Sequence, residues 1–226
     1  MPNLTRSDIQ SRINEFINDP NDSQWTAAQK QAKIQEAQEQ FVEDTKALTD
    51  TQSFSVADGV NTYSLSDDTL DIVRVALNGV KLRRYGKFDL DIAVQGNWAT
   101  STGTPASYYV DTSLTNRNLT VFPIPKANDV GVDNLVVEYV KVPDTLSSDS
   151  SAPLSAQVLL QPYLMALAYY AASEFLSADN DPQKWIKADR YRKMYKDKVS
   201  DCREIFVNLS KTVPMRLRGG RNFKGL

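Results

Sequence analysis

The chain of 226 residues contains no histidine. That removes Ser-His-Asp and Cys-His nucleophile systems, the histidine general base and the histidine metal ligand. Its single cysteine, Cys202, allows no intrachain disulfide and no cysteine-based zinc site, and suits a reducing, intracellular setting for assembly. Neither a G-x-x-x-x-G-K-S/T phosphate loop nor a G-x-G-x-x-G fingerprint occurs. Long apolar runs are missing too. The longest, around Tyr163 to Leu176, is interrupted by Ser173 and Glu174 and is too short to span a bilayer. The opening Met1-Pro2-Asn3-Leu4-Thr5-Arg6 has no apolar signal core, so no secretion is expected, and the sequons at Asn3, Asn21, Asn118 and Asn208 have no secretory route to serve. From these absences no cofactor, no metal and no membrane partner are expected.

The charge that is present is unevenly spread. Residues 1–150 hold 13 basic and 21 acidic side chains, a balance of −8, while residues 151–226 hold 13 and 7, a balance of +6. After Glu204 come Lys211, Arg216, Arg218, Arg221 and Lys224 with no acid among them. An acidic front and a basic end describe a chain that meets two different surfaces.

Hydrophobic periodicity divides the chain. Thr5-Arg6-Ser7-Asp8 has the form of a capping box, followed by Ile9, Ile13, Phe16 and Ile17 on one helical stripe. Asn18-Asp19-Pro20-Asn21-Asp22-Ser23 stops that helix. Trp25 before the box Thr26-Ala27-Ala28-Gln29 starts a second, with Ile34, Ala37, Phe41 and Leu48 on its stripe. From Thr51 to Val142 the period falls to two, with about six or seven short strands and turn signals at Asp58-Gly59, read as a hairpin, and Asn78-Gly79. Phe88 to Trp98 fits either a short helix or a loop. Pro143 to Pro153 is a serine-rich linker. Helix resumes from Ser155 with Leu159, Tyr163, Ala166, Leu167, Tyr170 and Ala171, breaks at Ala178–Pro182, and runs on to Leu209 with Trp185, Ala188, Tyr191, Met194, Tyr195, Val199, Cys202 and Phe206 on its stripe. The expected class is α+β. Residues 1–50 and 155–209 supply a four-helix bundle, 51–142 an inserted antiparallel β-sandwich or barrel-like module, 143–154 the linker and 210–226 an extended basic tail.

Candidate chemistry is sparse. Asp19-Pro20-Asn21-Asp22-Ser23 resembles the start of a calcium loop but has Gln24 where glycine is needed and Lys30 where glutamate is needed, so a helix-hairpin turn is the stronger reading. The pairs Asp67/Asp68 and Asp89/Asp91 read as solvated turn acids, and Cys202 as a small core residue. Tyr169/Tyr170 and Tyr191/Tyr195 read as packing between the last two helices, with base stacking as the alternative. The Lys/Arg-rich run Lys184 to Lys198 reads as a solvated face. In the tail, Pro214 blocks helix, Gly219 and Gly220 free the backbone, and Arg216, Leu217, Arg218, Arg221, Phe223, Lys224 and Leu226 offer charges and apolar anchors for docking.

Leu4-Thr5-Arg6-Ser7-Asp8-Ile9, then Arg12-Ile13-Asn14-Glu15-Phe16, Asp19-Pro20 and Trp25, resemble the head–tail adaptor proteins of tailed bacteriophages. So do Thr51-Gln52-Ser53-Phe54, Asn61-Thr62-Tyr63-Ser64-Leu65, Asn78-Gly79, Thr102-Gly103-Thr104-Pro105 before Tyr108-Tyr109-Val110, Pro123-Ile124-Pro125 and Tyr169-Tyr170-Ala171-Ala172. The resemblance implies no enzyme but a virion component, assembled in host cytoplasm into a ring usually of twelve copies under the portal. Its implied partners are the portal, tail or nozzle proteins, further copies of itself, and packaged DNA passing through without sequence-specific contact. The C-terminal segment would reach into the portal. Two other classes stay open: a nucleic-acid-binding module using the basic last helix and tail, and a hydrolase built on carboxylates alone.

Overall fold

The computed structural model describes residues 4–93, 98–112, 117–156 and 158–211. The protein is α+β, and the described residues form five α-helices and two sheets whose pairings are mostly antiparallel. The chain divides into two compact units, one built from residues up to 47 and from 143 onward, the other from 48–142.

In the helical unit, α1 (Arg6–Ile17) and α2 (Ala27–Thr45) start where the capping boxes predict. Asp8 N–H donates to the Thr5 hydroxyl while the Asp8 carboxylate accepts from Thr5 N–H, and Thr26 and Gln29 repeat the exchange. Both helices end at a residue in the left-handed region, Asn18 and Lys46. The central element is α4 (Met165–Ser177), which packs against α1, α2 and the long α5 (Pro182–Lys211). Its sequence is apolar nearly all round, and a helix of that kind is stable only when surrounded. Ala166, Ala168, Ala171, Ala172 and Ser173 are all buried, and their small side chains let three helices approach one axis.

Helix does not resume at Ser155 as expected. Residues Pro153–Ala156 and Val158–Tyr163 are 3-10 turns, and the α-helix begins only at Met165. Pro162 is the reason: it has no N–H for the carbonyl four residues back, so the segment winds with tighter i→i+3 bonds such as Leu164 to Gln161. Leu159, predicted on the buried stripe, is accordingly exposed. The serine-rich segment 143–154 is tied to the helices. Arg6 donates to the Leu146 carbonyl at 2.7 Å and to Asp149 at 2.7 Å, while Gln38 donates to the Asp144 carbonyl at 2.7 Å.

In the β unit, β1 (Thr49–Val56), β8 (Gly131–Lys141), β3 (Thr69–Leu77) and β4 (Val80–Lys81) form one sheet in that order. The second runs β2 (Thr62–Ser64), β7 (Arg117–Phe122), β6 (Ser107–Thr112) and β5 (Arg83–Arg84), and its β5–β6 pair is parallel. Phe88 to Trp98 holds a short helix, α3 (Lys87–Ala93). Val56, Val75, Leu77, Leu135 and Val137 from the first sheet share one core with Tyr63, Tyr108, Leu119 and Val121 from the second. Asn78-Gly79 makes the predicted hairpin turn, both residues at positive φ, between β3 and β4. Asp58-Gly59 does not. It turns the chain at Ala57–Val60, but β1 and β2 then enter different sheets, pairing with β8 and β7. The turn residues dictate local reversal; which edge each strand meets is set by where its alternating apolar side chains are buried.

Enlarging a small residue on α4 tests its central position. Ala171→Leu is expected to lower unfolding free energy by about 2 kcal/mol through overpacking, read as a lower urea midpoint with an unchanged slope.

Candidate functional site

The docking residues predicted in the tail, Pro214, Arg216, Leu217, Arg218, Arg221, Phe223, Lys224 and Leu226, lie outside the described residues. What the structure describes is the helix that leads to them. α5 is held at the end of α2, where Asp44 accepts the Tyr195 hydroxyl at 2.6 Å through its carboxylate and Arg203 Nε at 2.6 Å through its carbonyl. Burial and the Asp44 carboxylate push the Tyr195 phenol well above its ordinary pKa, and burial with Glu36 pushes Tyr170 up to about 12. Both therefore serve as neutral hydrogen-bond donors.

The tyrosines pack as predicted between the last two helices. Tyr169 and Tyr191 stack with each other and with Phe16, with ring centroids 4.9 to 6.1 Å apart, and Tyr170 lies 5.3 Å from Tyr195. These rings pack on one another, which supports the packing reading over base stacking. Cys202 is fully buried, and burial raises its thiol pKa to about 11.

The outward face of α5 is solvated, as the sequence predicts, and its cations are unevenly paired. Lys184 pairs with Asp179, Arg192 with Glu174 and Asp189, and Lys198 with Asp201. Lys187, Arg190, Lys193 and Lys196 are exposed and have no ion-pair partner among the described residues. Trp185, predicted on the buried stripe, is 47% exposed and stands beside Ile186, 73% exposed. Its indole N–H donates to the Asp179 carbonyl, which holds the ring at the start of the helix. A run of exposed cations along α5, with two exposed apolar side chains at its start, suits an acidic partner surface.

The turn that resembles a calcium loop holds a cation of its own. Lys30 stands at the twelfth position counted from Asp19, where a calcium loop needs glutamate, and it is fully buried. Its ammonium donates to the Asp19 carbonyl at 3.0 Å and to Asp22 Oδ1 at 2.7 Å, and lies 3.1 Å from Asp19 Oδ2. The Asp19 carboxylate also accepts from Ser23 N–H, Ser23 Oγ and Trp25 N–H. Burial by itself would raise the Asp19 pKa, but the hydrogen bonds from Ser23, Trp25 and Lys30 outweigh it and hold the carboxyl far below the usual range.

In each of the other acidic pairs one member has a structural partner. Asp68 accepts from the Tyr139 hydroxyl and faces Lys141, with the exposed Asp67 beside it in the turn. Asp89 accepts from Gly86 N–H at the start of α3, and the side chain of Asp91 lies outside the described ones. Among the described residues, no three Cys, Asp or Glu side chains gather where they could hold a metal ion. No described helix is long and apolar enough to cross a membrane. The sequence reading missed a second basic surface, in the β unit: a cavity of about 550 Å³ lined by Lys81, Arg83 and Arg84 with Ile72, Val73, Leu82 and Tyr108. Its signal was the five cations from Arg74 to Lys87 with no acid between Asp71 and Asp89.

Compared with known protein families, residues 4–214 match the model of the SU10 adaptor protein family. No curated protein matches the chain.

The internal cation of the turn makes a comparison of two lysines informative. Lys30→Met is expected to destabilise the chain far more than Lys33→Met, whose exposed pair with Glu36 contributes about 0–1 kcal/mol. The depressed Asp19 pKa means its contribution is present above the ordinary aspartate value of about 4 and is lost as pH falls below it. Urea unfolding at pH 7 and pH 3 should show the gap between the two variants narrowing in acid.

Proposed function

The chain belongs to the SU10 adaptor protein family of bacteriophage structural adaptors, and from that premise we propose that it joins a phage head to its tail. On this reading it is a virion component that forms a ring of twelve copies beneath the portal. The ring extends the DNA channel and presents the attachment surface for tail or nozzle proteins. The observation that carries the proposal is the span of the family match, which takes in both units and all of the described α5. The exposed cations Lys187, Arg190, Lys193 and Lys196 add a surface suited to an acidic neighbour.

We read the helical unit as a four-helix bundle and the β unit as an inserted sandwich, with 1–50, 51–142, 143–154, 155–209 and 210–226 as the working parts. The tail is the portal-docking arm. Pro214 ends the helix, Arg216, Arg218, Arg221 and Lys224 meet carboxylates, and Leu217, Phe223 and Leu226 anchor in apolar recesses. Twelve tails would bring about sixty positive charges to one annulus, a density that needs either acidic protein or DNA opposite.

A second reading, a nucleic-acid module using α5 and the tail, is favoured by the same unpaired cations. The two differ in partner. Removing residues 211–226 is expected to abolish attachment to isolated, DNA-free portal. Undiminished attachment, together with loss of steeply salt-dependent binding to a duplex, would move the tail's role to DNA.

A further inference from the structure

The β unit carries a concave basic corner and, elsewhere on its surface, an exposed corner with valines and two carboxylates. Val80–Lys81 closes one edge of the first sheet and Arg83–Arg84 one edge of the second, with Leu82 buried between them. The chain thus crosses from sheet to sheet and leaves Lys81, Arg83 and Arg84 around the 550 Å³ cavity. A smaller cavity of about 110 Å³ adjoins it through Ile72 and Arg84 and adds Arg117. One carboxylate, Asp71, faces Arg84 at 3.6 Å; Arg83 donates to the Tyr85 hydroxyl, and neither it nor Lys81 meets a carboxylate among the described residues. Between the cations the lining includes the apolar side chains Ile72, Val73 and Leu82 and the ring of Tyr108.

The exposed corner gathers around the pairing of Val56 with Gly131. The Ala57–Val60 turn is fastened there by the bond from Gly59 N–H to the Pro125 carbonyl, and Asp133 N–H donates to Ser55 Oγ. Three valines stand in solvent, Val60 at 44%, Val130 at 53% and Val132 at 83% exposure, flanked by the exposed Asp58 and Asp133.

We propose that the basic cavity of one copy receives the Asp58–Val60 and Val130–Asp133 corner of a second copy. Carboxylates would meet Lys81, Arg83 and Arg84 at the rim while valines cover the apolar walls. The inference rests on the ring reading, since two different patches on one chain make a heterologous contact, the kind that closes into rings. Duplex DNA fits less well. A phosphate backbone has no apolar groups for these walls, and residues 48–142 hold 8 basic against 11 acidic side chains, a net repulsive unit. A corner seated in a cavity this size buries less than the roughly 800 Å² per partner of a stable interface, so the contact would guide closure and would not hold free chains together.

The test mixes two full-length variants, Lys81→Cys and Val132→Cys, assembled on purified portal and oxidised. The native Cys202, buried and with a raised pKa, stays silent. The mixed disulfide between the two variants is the expected product. Lys81→Glu with Arg83→Glu should cut ring yield at least tenfold, and adding Asp58→Lys with Asp133→Lys should restore it. Closed rings with no mixed disulfide and an undiminished yield would overturn the contact while leaving the ring intact, and the cations would then only guard sheet edges. A mixed disulfide without closed rings would uphold the contact and sink the ring. If charge reversal weakens only duplex binding, the corner reads phosphates and the proposal fails.

Discussion

The ammonium of Lys30, buried between Asp19 and Asp22, fixes the turn from which the helical unit is built. A lysine taken wholly out of water is tolerated only where oxygens replace its hydration, and here a carbonyl and two carboxylates do so. Asp19 in turn orders Ser23, Gln24 and Trp25 through their backbone N–H groups. That places Thr26 to cap α2 and brings the Trp25 ring to 4.9 Å from Phe175 on α4. One charged contact therefore sets the direction of α2, its starting residue, and a packing contact with the central helix.

Around that turn the unit spends its polar groups on alignment. Asp44 holds α5 through Tyr195 and Arg203, Glu36 accepts from Tyr170, and Gln38 and Arg6 bind the serine-rich segment down. These bonds link elements far apart in sequence, so they act together only in the folded unit. The titratable groups they involve are shifted toward the state that packing needs: tyrosines neutral, Asp19 charged. Perturbed pKa values of this kind mark either active sites or structural networks. Here each has a neighbour that explains it as packing.

What remains outside is charge only partly neutralised within its own unit. The cations of α5 and of the β4–β5 corner face solvent beside apolar side chains, the combination found where one protein surface waits for another. For a structural adaptor the work lies in such surfaces. Their chemistry decides which neighbour fits.

The amino-acid order by itself determined the local features. Both capping boxes, the stripes Ile9–Ile13–Ile17 and Ile34–Ala37–Phe41, and the Asn78-Gly79 turn depend on residues within one or two turns of each other. The caps and the turn are stabilised locally, before any long-range contact forms, while the stripes announce a helical face whose energy comes from later burial. The family pattern was legible for the same reason, as a series of short motifs in order. Tertiary structure decided the rest. Lys30 read as a missing glutamate until folding brought its ammonium to Asp19. Asp58-Gly59 read as a hairpin until β1 and β2 found different sheets, because burial and not the turn chooses a strand's partner. The basic cavity was the least visible, since Ile72, Arg84 and Tyr108 are separated in sequence and meet only because β3, β5 and β6 converge at one corner. A surface made by convergence has no local signature, and charge spacing alone cannot say which cations will share it.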